Sequence, residues 1–234
     1  MAGLIEVRDL QFRYPDGTEA LRGVNLELRA GETLVLLGAN GSGKTTLLLH
    51  LNGLLEAVSG SITVCGLPVT TANYSAIRNK VGFVFQDADD QLFMSTVLDD
   101  VSYGLLNRGL PPEQARAAAE KALSQVDLVH AAGRAPYHLS GGEKRRAALA
   151  GVLAMEPSIL VFDEPTTALD PPAQRNLAAL LGRLDQAKII STHDAAFARA
   201  VGTRAVFFEK GRVAGEGTVR EVIARFDWEA HLEG

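Results

Sequence analysis

The sequence predicts an α/β fold: a mixed, largely parallel sheet around a phosphate-binding loop, with an N-terminal antiparallel β subdomain and an inserted helical subdomain. Three observations predict it. An apolar run, Thr33–Leu37, meets a Gly-rich loop, Gly38–Gly43, and then a helical stretch from Lys44 to about Leu51. A second apolar run, Ile159–Phe162, ends on two adjacent carboxylates, Asp163 and Glu164. From about 88 to 156, strand patterning gives way to helical patterning. Short apolar runs without alternation are the pattern of strands buried on both faces, as in parallel sheets.

The elements follow in chain order. Leu4–Val7 is a short apolar strand, and Pro15-Asp16-Gly17 is a turn. Val24, Leu26 and Leu28 alternate with polar residues, the mark of a half-buried strand. Strand character returns at Ser61–Val64 and Val81–Phe85. Three helices are expected next: Ser95–Leu106, one opened by Pro111-Pro112-Glu113 and running to Val126, and Gly141–Met155. Beyond the strand at Ile159–Phe162 come a helix over Pro172–Leu184 and a strand over Lys188–Thr192. Val206–Glu209 and Arg212–Gly215 flank Lys210-Gly211, a hairpin signal. Val219, Val222, Ile223 and Phe226 share one face of a last helix. No repeat, low-complexity tract or linker breaks the chain. The reading is one domain over 1–234: a core at about 1–87 and 158–217, helices at about 88–157, and a C-terminal helix at about 218–234.

Composition narrows the function classes. The 234 residues are 47% hydrophobic and 22% charged, too apolar for a disordered chain. Lys and Arg number 23 against 28 Asp and Glu, so a whole-surface basic field for nucleic acid is excluded. Cys65 is the single cysteine, so neither an intrachain disulfide nor a cysteine zinc cluster forms. No apolar run approaches the ~18 residues of a membrane helix. Met1–Leu10 carries Glu6 and Asp9 and no signal-peptide core. A role at a membrane therefore calls for a partner that holds the chain there.

Gly38-Ala39-Asn40-Gly41-Ser42-Gly43-Lys44-Thr45 fits G-x-x-x-x-G-K-[ST] between a buried strand and a helix, the context of P-loop NTPases. Its glycines let backbone N–H groups turn toward phosphate oxygens, where the helix N-terminus adds positive charge. Lys44 then reaches the β- and γ-phosphates, and the Thr45 hydroxyl ligates Mg²⁺. Asp163 and Glu164 end a strand at the edge where parallel sheets bind ligands. Asp163 there holds Mg²⁺, and Glu164 polarises the attacking water; a solvated acidic turn is the plain alternative. Leu139-Ser140-Gly141-Gly142-Glu143 fits the S-x-x-E capping box, and its bare glycines also make a second anion site. Capping alone would account for those residues too.

The ordered set resembles the ATP-binding subunit of ATP-binding-cassette (ABC) transporters over about residues 4–217. The resemblance rests on the P-loop at 38–45, Gln86 after a strand, Leu139–Glu143, Asp163-Glu164-Pro165, Ala168-Leu169-Asp170 and His193 after a strand. Glu143 stands where the family's signature most often has Gln. The resemblance implies two subunits stacked head to tail, with two ATP molecules between them. Each nucleotide meets Gly38, Asn40, Gly41, Ser42, Gly43, Lys44, Thr45 and Thr46 of one subunit and Ser140, Gly141, Gly142 and Glu143 of the other. Gln86 is implied as the residue that touches Mg²⁺ or the water and senses the membrane partner. His193 is implied as the switch at the γ-phosphate, Asp170 as shaping the dimer seam, and Tyr14 as the ring against adenine. The implied catalytic set is Glu164, His193, Gln86 and Lys44, and the Mg²⁺ set is Thr45, Gln86 and Asp163.

A narrower pattern runs Val84-Phe85-Gln86-Asp87-Ala88-Asp89-Asp90-Gln91-Leu92-Phe93, then Lys144-Arg145-Arg146 and Leu153-Ala154-Met155-Glu156-Pro157. It is similar to the ATPases of energy-coupling-factor importers, most of all the cobalt/nickel group, from which Ala88 and Leu105 depart where proline is frequent. This implies import of cobalt, nickel or a vitamin, a second ATPase subunit, a transmembrane subunit gripped near Asp87–Phe93, and a peripheral place on the cytoplasmic face. Rival readings are an amino-acid importer or exporter subunit, or a soluble ABC ATPase on nucleic acid or ribosomes. The short insertion without sustained heptads speaks against the last, and no nucleic acid is expected.

Overall fold

The computed structural model describes residues 3–228. The chain opens with two antiparallel strands, β1 (Ile5–Arg13) and β2 (Glu19–Leu28). Both are longer than their alternation suggests. Pairing slips from Val7↔Leu26 to Leu10↔Val24, with Asp9 at φ 46° and Gly23 at φ 79°. This bulge breaks the period of two, so sequence patterning sees only the halves that alternate. After β3 (Thr33–Leu37) and α1 (Lys44–His50), β4 (Ser59–Val64) and β5 (Leu67–Pro68) complete a four-stranded sheet in the order β2-β1-β4-β5.

A short α2 (Tyr74–Arg78) leads to β6 (Val81–Val84). The helical block follows: α3 (Val97–Asn107), α4 (Pro112–Gln125) and α5 (Gly141–Ala154). Thr96 caps α3, its hydroxyl accepting from Asp99 N–H. Small buried residues, Ala115, Ala119, Ala122 and Ala147, let the helices approach closely. These helices have no core of their own: Val84, Leu160, Phe162 and Ile190 of the sheet share theirs.

The second half returns to the sheet with β7 (Ile159–Asp163), α6 (Pro171–Gly182), β8 (Ala187–Ser191) and α7 (Ala195–Val201). α7 is not expected from the sequence: its buried residues, Ala195, Phe197 and Ala198, are mostly alanines and mark no clear apolar face. β9 (Arg204–Glu209) and β10 (Arg212–Gly217) make the expected hairpin, with Lys210 and Gly211 both at positive φ. The large sheet runs β10-β9-β3-β8-β7-β6; all neighbours are parallel except β10 on β9. β3, β7 and β8 are buried at every position. α8 (Val219–Arg225) buries Val219, Val222 and Ile223 as expected, and Phe226 stacks on Phe207 at 4.1 Å. The helix ends at Arg225 with Phe226 as its cap residue, and residues 229–234 of the helix expected to 234 lie outside the described residues.

Candidate functional site

Parallel order sets the site. β3, β8 and β7 are neighbours, so their C-terminal ends bring the P-loop, Ser191 and Asp163-Glu164 to one edge. The loop from Gly38 to Gly43 turns at positive φ on Gly38, Gly41 and Gly43. At Gly43 a Cβ would come within 2.6 Å of the Ala20 carbonyl, whereas nothing lies within 4 Å of one at Gly41. The loop thus packs tightly on the fold at one end and stays open at Gly41, where a ligand has room. Asn40 and Thr45 are exposed, and Ser42 is buried with its Oγ unpartnered.

Lys44 is 5% exposed and donates from Nζ to the carbonyls of Gly38, at 2.7 Å, and Ala39, at 3.1 Å. It lies 3.5 Å from Glu164 Oε1, an ion pair too long to be a hydrogen bond. Burial pushes the Lys44 amine below its ordinary range, and the Glu164 charge opposes that shift. A buried ammonium against bare loop carbonyls, beside an unpartnered serine hydroxyl, fits a polyphosphate anion.

Asp163 Oδ1 accepts from Ser191 Oγ at 2.6 Å and Thr45 Oγ1 at 3.0 Å. Burial raises its carboxyl above the ordinary range, against these two bonds. Glu164 stands next in the chain at φ 43°, a left-handed conformation uncommon for a non-glycine. Its N–H donates to Ser191 Oγ at 2.9 Å and to the Ser191 carbonyl at 3.1 Å. Its Oε2 accepts from His193 N–H at 3.2 Å and meets His193 Nδ1 at 2.8 Å. One carboxylate oxygen is thereby fixed and Oε1 is left without a hydrogen bond, facing the lysine.

Tyr14 follows β1, and its hydroxyl meets Thr46 Oγ1 at 3.0 Å. Its ring stands edge-on to Phe12 at 4.9 Å, and Phe12 stands edge-on to buried His50 at 4.7 Å. Thr46 therefore ties the tyrosine to α1.

The remaining residues gather elsewhere. Ser140 and Glu143 form a complete capping box: Glu143 Oε2 accepts from Ser140 N–H at 2.8 Å, and Glu143 N–H donates to Ser140 Oγ at 3.3 Å. These bonds, with Arg134 and His130 nearby, hold the Glu143 carboxyl down to about 2. Ser140, Gly141 and Gly142 share a cavity of about 430 Å³ with Ala168, Leu169 and Asp170 and no P-loop residue. Asp170 caps α6 through Ala173 N–H at 2.8 Å. Gln86 is exposed past β6, and its side chain makes no hydrogen bond among the described residues. It lines a second cavity with Asp87, Lys144 and Arg145.

Sequence reading overlooked Ser191, which bonds both Asp163 and Glu164. A polar residue ending the apolar run Ile189-Ile190 was the available signal. It named Arg145 only within the Lys144–Arg146 pattern and gave no role to this buried side chain, which donates to the carbonyls of Phe85 at 2.8 Å and Thr167 at 3.4 Å.

A P-loop on a buried strand, a lysine held for phosphate and paired carboxylates two strands away in the same sheet define a nucleoside-triphosphate hydrolase. The chain belongs to the ABC transporter family, whose model matches residues 21–167. It is 44% identical over 225 residues to the energy-coupling factor transporter ATP-binding protein EcfA of Methanothermobacter thermautotrophicus, covering 94% of this chain and 72% of that protein. Among solved structures it is similar to cbiO1 of Clostridium perfringens, part of the ABC transporter complex cbiONQ: TM-score 0.88, 36% identity, 97% of this chain and 93% of that one. It is also similar to the ATP-binding cassette MJ0796, a dimer in a post-hydrolysis state bound to ADP and Pi: TM-score 0.84, 29% identity, 92% and 99% covered. The chain is an ABC ATPase that binds and hydrolyses ATP.

Proposed function

We propose that the chain drives an importer of the energy-coupling-factor type, paired with a second ATPase subunit and seated on the cytoplasmic face of a membrane against a transmembrane subunit. One observation carries the pairing: the cavity of Ser140, Gly141, Gly142 and Asp170 contains no P-loop residue. Each chain then offers a phosphate cradle and a separate anion site, and two chains head to tail join one to the other. Among the described residues no helix is long and apolar enough to cross a membrane, which suits a peripheral subunit. The likeness to EcfA and cbiO1 supports the energy-coupling-factor type; cobalt, nickel or a vitamin as cargo belongs to this reading.

In this reading Lys44 leaves the Gly38 and Ala39 carbonyls for the β- and γ-phosphates, and Tyr14 faces adenine. Gly38, Asn40, Gly41, Ser42, Gly43 and Thr46 complete the cradle. Glu164 accepts a proton from the attacking water, with Oε2 steadied by His193 and Oε1 free to act. Thr45 and Asp163, two oxygen donors already at 3.0 Å, would hold Mg²⁺ with Gln86. Bound there, Mg²⁺ supplies charge neutralisation at the phosphates. Ser140, Gly141, Gly142 and Glu143 receive the partner's γ-phosphate, and Asp170 shapes the seam. The division into a core at 1–87 and 158–217, helices at 88–157 and a tail at 218–234 belongs to this reading.

The docking surface for the membrane partner lies beside Asp87–Phe93. A groove there is lined by Leu92, Phe93, Tyr103, Met155 and Pro157, with Phe93 62% exposed. Asp100 Oδ1 accepts from the N–H groups of Phe93 and Met94, and its buried Oδ2 is unpartnered. The decisive experiment purifies the tagged chain from detergent-solubilised membranes. Recovery with a second cassette and a transmembrane protein is expected; recovery with ribosomal or DNA-bound material alone overturns the reading.

A further inference from the structure

We infer, on the reading of His193 given above, that Trp228 is a positioning residue for it: the indole N–H holds the His193 carbonyl, and so holds the ring against Glu164. His193 is gripped at three atoms. Its N–H and Nδ1 both reach Glu164 Oε2, and its carbonyl accepts from Trp228 Nε1 at 3.0 Å. The first two run back twenty-nine residues to the end of β7, and the last runs forward thirty-five residues to the turn after α8. The imidazole is 46% exposed, so packing alone does not fix it.

Trp228 is anchored well enough to serve. It is 4% exposed and stands edge-on to Phe207 at 5.3 Å, while Phe207 stacks on Phe226. The same apolar cluster includes Val35 and Leu37 of β3, which leads into the P-loop, and Ala195 and Ala198 of α7, which follows His193. A phenyl ring would keep much of this apolar contact but has no donor. Tryptophan adds one directed donor on a rigid bicycle, and that donor meets the carbonyl of the residue that touches Glu164. The segment after α8 is thereby linked to the hydrolytic carboxylate through one backbone group, with no contact to nucleotide required.

Trp228→Phe keeps an aromatic ring in the cluster and deletes the donor. In the full chain, kcat for ATP should fall about fivefold while KM stays within about twofold, the pattern of lost positioning rather than lost binding. In a His193→Ala background the same substitution should change kcat by less than about 1.5-fold, because the coupled group is gone. An unchanged kcat in Trp228→Phe, or an equal loss in both backgrounds, overturns the inference. A His193→Ala variant that turns over at the wild-type rate would instead sink the assignment of His193, a separate outcome. Should Trp228→Phe fail to fold, the unmutated chain decides: it has one tryptophan, hence one indole N–H signal in a ¹⁵N-labelled sample. That proton should exchange at least about tenfold more slowly than a free indole; exchange at the free rate refutes the bond.

Discussion

Around the P-loop, charged groups are buried and incompletely paired: Lys44 rests on loop carbonyls, Glu164 Oε1 has no hydrogen bond, and Ser42 Oγ is unpartnered. At the start of α5 the reverse holds. The Ser140–Glu143 capping box is reciprocal and complete, the groups are at the surface, and Gly141 and Gly142 add no side chain. The first region departs from ordinary polar satisfaction, as expected of groups that bind an anion. The second is fully hydrogen-bonded at its cap, with Gly141 exposed at the first helical position. One is a site under strain, the other a preformed surface, and a nucleotide held between two chains would use both.

The sharpest way to break this contrast is Glu164→Gln. ATP binding should persist while turnover falls at least about 10²-fold, the range for loss of a general base, and an ATP-bound dimer should accumulate on size exclusion. Wild-type turnover would remove Glu164 from the role of base. Next is Lys44→Ala, for which the Kd of ATP by calorimetry should rise about 10- to 100-fold, the scale of charged hydrogen bonds to phosphate. An unchanged Kd would contradict the cradle.

Gly142→Asp probes the other region. A Cβ there meets only the Ala173 Cβ at 3.6 Å, and an acid in the first turn suits a helix N-terminus, so the fold should hold. Turnover should fall at least about tenfold through like-charge repulsion of the partner's phosphate, with the Kd of the isolated chain for ATP unchanged. A parallel loss of nucleotide binding would mean that the two regions are one site within a single chain.

Asp163→Asn reads the strain directly. Burial raises the Asp163 carboxyl above its ordinary 3.8, so the folded chain holds that proton more tightly than the unfolded one. Its contribution is favourable below pH 3.8 and is lost as pH rises through the folded value. At neutral pH the amide should therefore raise the thermal midpoint of the nucleotide-free protein by about 2–4 °C while abolishing ATP turnover. A lowered midpoint would mean that the ionised carboxylate stabilises the empty site.

The smallest effect belongs to Glu143→Gln, which keeps an acceptor for the Ser140 N–H. Turnover should stay within about threefold. Glu143 has its carboxyl lowered from 4.5 to about 2, so its stabilising contribution is present above pH 4.5 and lost as pH falls toward 2. The thermal advantage of wild type over this variant should fade across that window. An advantage that persists below it would assign the stability to something other than the carboxylate.

Contiguous chemistry was legible in the sequence. The P-loop, the Asp163-Glu164 pair, the capping box and the Lys210-Gly211 turn each lie within a few neighbouring residues, where local sterics and hydrogen bonding decide the outcome. What lay beyond reach was pairing across distance. The Asp9 bulge hid half of β1 and β2 from a period-two reading. The α7 helix, alanine-rich on its buried side, showed no apolar face in the sequence. The Tyr14 hydroxyl reaches Thr46 thirty-two positions away, and no local pattern foretells that.

Sequence alone thus determined the layered α/β architecture, the ATP-binding loop and the identity of the acidic pair, because buried-strand composition and phosphate-loop stereochemistry are written in consecutive residues. Tertiary structure alone decided that Ser191 links Asp163 to Glu164, that His193 holds one oxygen of that glutamate, and that Trp228 holds His193 in turn. Those bonds depend on the parallel order β3-β8-β7 and on the turn at 226–228 folding back onto His193. Strand order is a choice among global packings, and no short window of residues contains it.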